Sequence, residues 1–200
     1  MNAMSICKDM WIIWIVLWLC LALRSKKTQQ RESLGSILSY AVFAWIGAYL
    51  VFCKVALGHW GQSAVFPAGK WTSCTSVALV VLGLALTFWA RFILGDNWSG
   101  TVTVKVDHAL IRSGPYRWVR HPIYSGLLLA IFGTMIALDQ WRGCVALPLL
   151  WIAFTIKRLK EERFMRQTFG DQYVEYSKTT GAIVPCLSRI CSRSPHWFAR

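Results

Sequence analysis

The chain has 200 residues, of which 56% are hydrophobic, and it carries a formal net charge of +13. The apolar residues form long runs, and there are 12 tryptophans, a residue type enriched where a membrane meets water. This composition predicts an integral membrane protein with a single membrane domain over residues 1–200. The basic residues lie in alternate loops between the apolar runs, which favours contact with anionic membrane lipid and argues against nucleic acid as a partner.

The cysteines give no sign of a disulfide framework or a metal site. There are seven, an odd number, and the sequence contains no Cys-x-x-Cys motif. Most of them lie in or beside apolar runs, where cysteine behaves as a small hydrophobic residue. No metal is therefore expected.

The apolar runs predict an all-α membrane protein with about five transmembrane helices. In chain order these spans cover about residues 10–23, 34–57, 76–94, 123–138 and 144–156. The first span shows no small-residue cleavage site and is interpreted as an uncleaved anchor. In the second span, Gly47 and Ala48 permit close helix packing. Arg91 lies near the end of the third span, where its side chain is expected to snorkel toward water.

The segments around the last two spans have their own signals. Residues 95–100 should break the third helix, and residues 101–106 alternate like a short strand. Because no partner strand is evident, they are predicted to be an extended loop. Spans four and five should form a tight hairpin, with span five bent at Pro148. A polar helix is expected to continue from Lys157 to about Gly170.

The distribution of charge predicts the orientation of the spans. Lysines and arginines concentrate after spans one, three and five, whereas the other two connections carry few of them. By the positive-inside rule, the N-terminus is expected outside and the C-terminus in the cytoplasm, in the inner membrane of a bacterium or in the endoplasmic reticulum of a eukaryote. This orientation puts residues 111–126 and 157–176 on one side of the membrane, where they can form one site.

Residues 111–126, with the sequence IRSGPYRWVRHPIYSG, are the most distinctive stretch of the chain. Gly114 and Pro115 predict a turn, and His121 precedes Pro122, which should open the next helix. A basic, aromatic connector that ends on a helix N-terminus suits an anion. A plain cytoplasmic loop would account for the arginines, but not for the His-Pro-x-Tyr motif.

Two adjacent glutamates follow span five, and helical spacing separates their roles. Glu162 has Arg158 four residues before it and Arg166 four residues after it, which favours an exposed ladder of ion pairs. Glu161 lies on a more apolar face with Lys157 one turn before it. An acid in that position tends to be paired or functional rather than only solvated.

Residues 114–126 (GPYRWVRHPIYSG) and residues 161–176 (EERFMRQTFGDQYVEY) together resemble the isoprenylcysteine carboxyl methyltransferase family. Members of that family are integral membrane enzymes that use S-adenosylmethionine. The resemblance covers about residues 94–185, which we expect to be the catalytic core. It implies a cytoplasmic cofactor site built from the loop before span four and the helix after span five.

The resemblance also implies roles for individual residues. The implied cofactor-binding residues are His108, Leu110, Ile111, Tyr116, Arg120, His121, Pro122, Tyr124 and Glu161. Among them, Glu161 matches the acid that holds the amino group of the cofactor, while an arginine suits its carboxylate. The acceptor-binding base of the family falls on Lys157, with Arg158 beside it, although the family has an arginine there. Helix geometry favours Lys157, because it shares a face with Glu161.

The expected methyl acceptor is lipophilic, because its tail can enter between the helices while its polar end meets the cofactor from the cytosol. A phospholipid N-methyltransferase, or a methyltransferase for a small lipophilic thiol or amine, would share the cofactor site. Alternatives of another class are a noncatalytic membrane module and a transporter. A transporter predicts charged or helix-breaking residues at midspan, whereas the charges here cluster at the ends of the spans.

Overall fold

The computed structural model describes residues 2–23, 28–53, 58, 63–67, 69–98, 103–105 and 110–186. The helices are α1 (Ala3–Ala22), α2 (Leu34–Phe52), α3 (Lys70–Leu94), α4 (Pro122–Leu138), α5 (Trp141–Phe169) and α6 (Asp171–Thr179). Two short 3-10 turns lie at Gly95–Asn97 and Gly114–Arg117, and two short strands are β1 (Thr28–Arg31) and β2 (Thr103–Lys105). The predicted all-α class is therefore confirmed, with one small ladder outside the helices.

Each of the five predicted spans overlaps a helix, although α2 ends at Phe52 and residues 54–57 of the second predicted span lie outside the described residues. Within the described part of the chain, three stretches are long and apolar enough to cross a membrane, namely Ala3–Ala22, Leu34–Phe52 and Lys70–Asn97, and Pro122–Leu138 is a shorter apolar helix. Helix α1 begins earlier than predicted, because the side chain of Asn2 caps its first turn. Large apolar side chains such as Leu19 and Trp45 remain 62% and 76% exposed, as expected of surfaces that face lipid.

The prediction of an extended loop at residues 101–106 was wrong for its described part. Residues 103–105 form β2, which pairs antiparallel with β1. The partner lies more than seventy residues earlier in the chain, beyond the reach of local pattern analysis. The ladder joins the connection after α1 to the connection after α3, so both lie at the same end of the bundle.

Glycines bring α3 and α4 into backbone contact. A Cβ atom added at Gly83 would lie 2.5 Å from the carbonyl oxygen of Gly126, and one added at Gly133 would lie 2.7 Å from that of Ser76. Helices in lipid gain packing energy from such close approach, since the hydrophobic effect gives them little. Gly47 of α2 leaves room for the side chain of Leu150 of α5, in agreement with the close packing predicted at that glycine.

Helix α1 is held to this pair by indole hydrogen bonds. Trp11 donates to the hydroxyl of Thr134 at 2.9 Å, and Trp14 donates to that of Thr87 at 2.7 Å. A core cluster surrounds the first of these bonds, formed by Cys7, Trp11, Val80, Leu84, Ala130, Ile131 and Leu150. The N-terminal anchor is thus part of the bundle core.

Two buried arginines satisfy the ends of neighbouring helices. Arg91 donates to the carbonyl oxygen of Leu21 at 2.7 Å, at the C-terminus of α1. It is only 3% exposed, so the prediction that its side chain snorkels outward was wrong. Arg142 donates to the carbonyl oxygens of Leu50 and Cys53 at the end of α2. Each guanidinium supplies donors to carbonyl groups that lack helical partners.

Helix α5 carries the predicted fifth span and the polar segment after it as one continuous helix. It passes through Pro148 without interruption and ends at Phe169. Gly170 follows with φ of 51°, which confirms the predicted end of the helix. The tight connection between α4 and α5 is also confirmed, with Asp139 in the left-handed region. Asp139 accepts hydrogen bonds from the backbone of Val65 and Phe66 at this end of the bundle.

Candidate functional site

The His-Pro turn lies at the start of α4, as the sequence predicts. Pro122 is the first residue of the helix, and His121 precedes it with φ of −125° and ψ of 60°. The backbone N–H groups of Arg120 and His121 donate to Gly181 and Ala182 at 2.9 and 3.0 Å. The segment after α6 therefore runs beside the turn and holds its backbone in place.

Arg120 joins three parts of the site. Its Nε and Nη2 atoms donate to Oε1 of Glu162 at 3.2 and 3.0 Å. Its Nη1 atom donates to the carbonyl oxygens of Ser177 and Thr180 at 3.1 and 2.6 Å, at the end of α6. The guanidinium is thus engaged by protein acceptors, although the sequence analysis assigned Arg120 to the cofactor. We infer from these contacts that Arg120 positions Glu162 and α6.

Glu162 is buried, which overturns the expectation of an exposed ladder. Its side chain is 7% exposed, and its Oε1 atom also lies 3.3 Å from Arg158. The predicted Arg158–Glu162 pair is therefore present. Periodicity failed here because the partner that buries Glu162 comes from the turn before α4, not from α5 itself. The hydrogen bonds and charges of His121 and Arg120 outweigh the effect of burial, so the pKa of Glu162 falls to about 2.

His121 lies between the two carboxylates. Its Nε2 atom is 3.2 Å from Oε1 of Glu162, and its Nδ1 atom is 3.4 Å from Oε2 of Glu161. Burial disfavours the imidazolium, but hydrogen bonds to Glu161 and Glu162 outweigh it and raise the pKa of His121 above its ordinary value. Because each nitrogen of the His121 ring faces an acceptor, both nitrogens should donate a hydrogen bond. Only the protonated imidazolium has a hydrogen on both nitrogens.

Glu161 faces the other side of this histidine. The hydroxyl of Tyr124 donates to Oε1 of Glu161 at 2.6 Å. Burial would raise the pKa of Glu161, but the hydrogen bond to His121 and the charge of Lys157 lower it below its ordinary value. The carboxylate is therefore ionised at neutral pH. Its side chain is 24% exposed, so a ligand has access to it.

Aromatic rings line the site beside Glu161. The ring of Tyr124 stacks on His121 at 5.5 Å between centroids and on Phe154 at 5.2 Å. Tyr116 is 7% exposed, and burial together with the charge of Glu161 raises the pKa of its hydroxyl. The structure thus brings Tyr116, Tyr124, His121 and Glu161 into one region.

Four predicted cofactor residues remain, and the structure describes three of them. Pro122 is buried in the first turn of α4, and Leu110 and Ile111 are half-buried just before the 3-10 turn at Gly114–Arg117. His108 lies outside the described residues. These assignments stay predictions.

The two bases predicted for the acceptor point to different partners. The ammonium of Lys157 lies 5.7 Å from the ring centre of Tyr124 and 5.6 Å from that of Tyr40. Arg158 is paired with Glu162, and its Nε atom is buried without a hydrogen-bond partner among the described residues. The preference for Lys157 over Arg158 as the residue on the Glu161 side thus agrees with the geometry.

Two tyrosines of α6, Tyr173 and Tyr176, shape the site but had no predicted role. The hydroxyl of Tyr176 donates to the carbonyl oxygen of Tyr116 at 2.6 Å and so fixes the 3-10 turn. Tyr173 and Tyr176 are both buried, and their spacing of three residues on α6 is the signal for one apolar face. Tyr40 of α2 was also missed, and no pattern in α2 connects it with α5.

Comparisons with known proteins agree with this geometry. A model of the isoprenylcysteine carboxyl methyltransferase family matches residues 76–167, which contain most of α3, all of α4 and most of α5. The chain is 32% identical over 137 residues to a probable protein-S-isoprenylcysteine O-methyltransferase of Oryza sativa subsp. indica, which covers 66% of this chain and 72% of the relative. It is 33% identical over 123 residues to human protein-S-isoprenylcysteine O-methyltransferase, which covers 60% of this chain and 43% of the relative.

A solved structure has a similar fold. The eukaryotic intramembrane Ras methyltransferase, an isoprenylcysteine carboxyl methyltransferase, superimposes with a TM-score of 0.55 at 27% identity. The match covers 75% of this chain and 50% of that one, so this chain corresponds to about half of the larger enzyme. The match covers 72% of the rice relative, and the structure assembles the His-Pro turn and the paired glutamates in one site. The chain therefore belongs to the isoprenylcysteine carboxyl methyltransferase family.

Proposed function

We propose that this protein transfers a methyl group from S-adenosylmethionine to the carboxylate of an isoprenylcysteine-type acceptor. The observation that carries the proposal is the pairing of an ionised, accessible carboxylate with a lysine one turn before it on the same helix. Glu161 suits the ammonium of the donor, and Lys157 suits an anionic acceptor. Their charges interact, since Lys157 lowers the pKa of Glu161.

The residues present fit the proposed donor. Among the described residues, Tyr124 and His121 contact the two oxygens of Glu161, and a carboxylate has about four acceptor positions. Glu161 therefore retains the capacity to accept an ammonium group. Tyr116 and Tyr124 lie in the same region as Glu161, where aromatic side chains would help to enclose an adenine or a sulfonium. The donor would be held by Leu110, Ile111, Tyr116, His121, Pro122, Tyr124 and Glu161, together with His108.

The chain contributes positioning and exclusion of water. S-adenosylmethionine, when bound, supplies an electrophilic methyl group on a sulfonium. A carboxylate acceptor is already anionic, so no side chain has to remove a proton from it. Lys157 would hold this carboxylate, and Arg158 would keep Glu162 in place behind it. Holding the reacting groups in a dry site at the membrane surface accounts for most of the expected rate enhancement.

The orientation predicted from loop charge is part of the proposal, with the N-terminus outside and the C-terminus in the cytoplasm. Two contacts between distant connections support an alternating bundle. The β1–β2 ladder joins the connections at one end, and Asp139 joins α4 to residues 65–66 at the other. Reporter fusions at the C-terminus should give a cytoplasmic signal, and a translocated reporter would overturn this topology.

The function is tested by methyl transfer from labelled S-adenosylmethionine in detergent. The acceptor panel contains prenylcysteines, fatty acids, small thiols and phospholipids. We expect label on the prenylcysteine in a base-labile methyl ester, and none on a prenylcysteine whose carboxylate is already blocked as an amide. Label on the phospholipid or thiol alone would replace the proposed acceptor, and tight donor binding without transfer to any acceptor would point to a noncatalytic module.

A further inference from the structure

Tyr176 of α6 contacts the backbone of the 3-10 turn that contains Tyr116. Its hydroxyl donates to the carbonyl oxygen of Tyr116 at 2.6 Å, and the two residues are 6% and 7% exposed. Because both partners are buried, water competes little for this hydrogen bond, which gains strength in the low dielectric of the interior. Tyr176 lies outside residues 76–167, the part of the chain that the family model matches.

The hydroxyl of Tyr176 takes the place of a backbone partner for this carbonyl. A continuing helical turn would direct the N–H groups of Val119 and Arg120 to the oxygen of Tyr116. They donate instead to the carbonyl oxygens of Pro115 at 3.2 Å and of Gly181 at 2.9 Å. A buried carbonyl that loses its hydrogen-bond partner is unfavourable, so without this hydroxyl the turn should shift.

Helix α6 is itself attached at both ends, so the hydroxyl has a fixed position. Near the start of α6, Arg112 donates to the carbonyl oxygen of Gln172 at 3.1 Å, and its guanidinium lies 5.7 Å from the ring centre of Tyr176. Just after α6, the carbonyl oxygen of Thr180 accepts a hydrogen bond from Arg120 at 2.6 Å. The two arginines flank the 3-10 turn in the sequence, and together they bind α6 to the segment that contains this turn.

Tyr173, one turn before Tyr176 on α6, belongs to a different part of the site. It is 2% exposed. Burial and the charge of Glu162 raise the pKa of its hydroxyl, whereas Arg120 lowers it, so this hydroxyl lies near the ion pair between those two residues. The two hydroxyls of α6 thus have separate surroundings, one beside the buried ion pair and the other at the backbone of Tyr116.

We propose that Tyr176 is a positioning residue for S-adenosylmethionine, and that it acts through the backbone of Tyr116. This inference rests on the proposed function, in which Tyr116 lies beside the bound methyl donor. Burial raises the pKa of the Tyr116 hydroxyl, and the charge of Glu161 raises it further, so the two side chains belong to one region. A bond that fixes the carbonyl of Tyr116 restricts its side chain as well, and a preorganised site loses less entropy when a ligand binds.

The test removes one hydroxyl at a time from α6. In Tyr176→Phe, the Kd of S-adenosylmethionine, measured by calorimetry, should rise about three- to thirtyfold, because the carbonyl of Tyr116 loses its partner. The KM of the prenylcysteine acceptor at saturating S-adenosylmethionine should stay within about twofold of the wild-type value. The matched control is Tyr173→Phe, which should lower the melting temperature but leave the Kd of S-adenosylmethionine within about twofold of the wild-type value.

A second pair of variants separates the hydrogen bond from the shape of the side chain. With p-aminophenylalanine in place of Tyr176, an N–H group can donate to the same carbonyl, so the affinity for S-adenosylmethionine should return to within about threefold of the wild-type value. With p-methylphenylalanine, a group of similar size cannot donate, and the affinity should match that of Tyr176→Phe. If Tyr176→Phe does not fold, the amino and methyl variants decide the question.

Three outcomes would overturn the inference. One is a Kd of S-adenosylmethionine that is unchanged in Tyr176→Phe, and another is equal affinity of the amino and methyl variants. The third is an equal loss of affinity in Tyr173→Phe, because the attachment of α6 as a whole would then be responsible. Failure of the proposed function is a separate result, since it requires that the wild-type protein itself does not bind S-adenosylmethionine or methylate the prenylcysteine.

Discussion

Glu161 and Glu162 are neighbours in the chain, yet they lie in two regions of the site that His121 separates. On one side, Glu162 contacts Arg120, Arg158 and His121, and its side chain is 7% exposed. On the other side, Glu161 contacts Tyr124 and His121 and is 24% exposed. The same side-chain chemistry thus occurs once in a closed ion-pair cluster and once in a partly exposed position beside buried aromatic rings.

This difference indicates how the site divides its work. A buried carboxylate surrounded by two guanidinium groups has its charge balanced by the protein, so it stabilises the arrangement of α4, α5 and α6. A carboxylate with fewer partners and some exposure keeps acceptor capacity for a ligand. Glu162 therefore belongs to the structure of the site, and Glu161 to its proposed binding function. Four experiments test this division, from the largest expected effect to the smallest.

Replacing Glu162 by Gln should have the largest effect, and it should act on stability. Arg120 would lose the carboxylate that balances it, and breaking one partner of a buried ion pair costs about 3–5 kcal/mol. The matched control is Glu175→Gln. Glu175 pairs with Lys178 at the surface, and the two side chains are 67% and 66% exposed, so the loss of stability should be scarcely measurable. Denaturant or thermal unfolding in detergent measures both, and equal losses would contradict a closed cluster around Glu162.

Replacing Glu161 by Gln should instead act on the donor. Loss of a charge-assisted contact costs about 1.5–3 kcal/mol, which corresponds to a roughly ten- to hundredfold weaker affinity for S-adenosylmethionine. The melting temperature should stay close to that of the wild type, because the accessible carboxylate balances less buried charge. Calorimetry at a temperature where Glu162→Gln remains folded compares the two variants. Equal losses of donor affinity would mean that the two regions do not differ in role.

Replacing Lys157 by Met should weaken the acceptor alone. We expect a roughly tenfold rise in acceptor KM, or an equivalent fall in kcat, with the donor Kd unchanged. The matched Arg158→Met variant removes a partner of Glu162 on the closed side, so it should lower stability and leave the acceptor KM nearly intact. Steady-state kinetics with a prenylcysteine decides between them, and a defect confined to Arg158→Met would reverse the assignment.

The pH dependence of stability should be the smallest effect. The pKa of His121 is raised above 6.5, so its stabilising contribution is complete below pH 6.5 and is lost as the pH rises through its folded pKa. The pKa of Glu162 is lowered from 4.5 to about 2, so its contribution is complete above pH 4.5 and is lost as the pH falls toward 2. Melting temperatures should therefore decline from about pH 6.5 upward.

A variant identifies the group responsible for that decline. His121→Asn keeps a hydrogen-bonding side chain but cannot carry the charge, so its melting temperature should vary less between about pH 6 and pH 9. A wild-type profile that is flat in this range, or an unchanged slope in His121→Asn, would show that the imidazolium does not connect the two carboxylates.

Much of the fold was predictable from local patterns. Long apolar runs predicted the helices, because a chain in lipid must satisfy its backbone hydrogen bonds within each segment. Pro122 and Gly170 predicted where α4 begins and where α5 ends, since both residues restrict or permit backbone conformations that other residues do not. The β1–β2 ladder was missed, because its register depends on two strands that are distant in the sequence.

The site divides in the same way. The sequence by itself indicated which residues to propose for the chemistry, because a histidine before proline, a tyrosine two residues later and a pair of glutamates are properties of adjacent positions. Only the tertiary structure decided that Glu162 is the buried acid, since its partner Arg120 lies 42 residues earlier in the chain. It also decided that Tyr40 faces Lys157. Helical periodicity assigns faces to one helix, but burial depends on what a second helix places against that face.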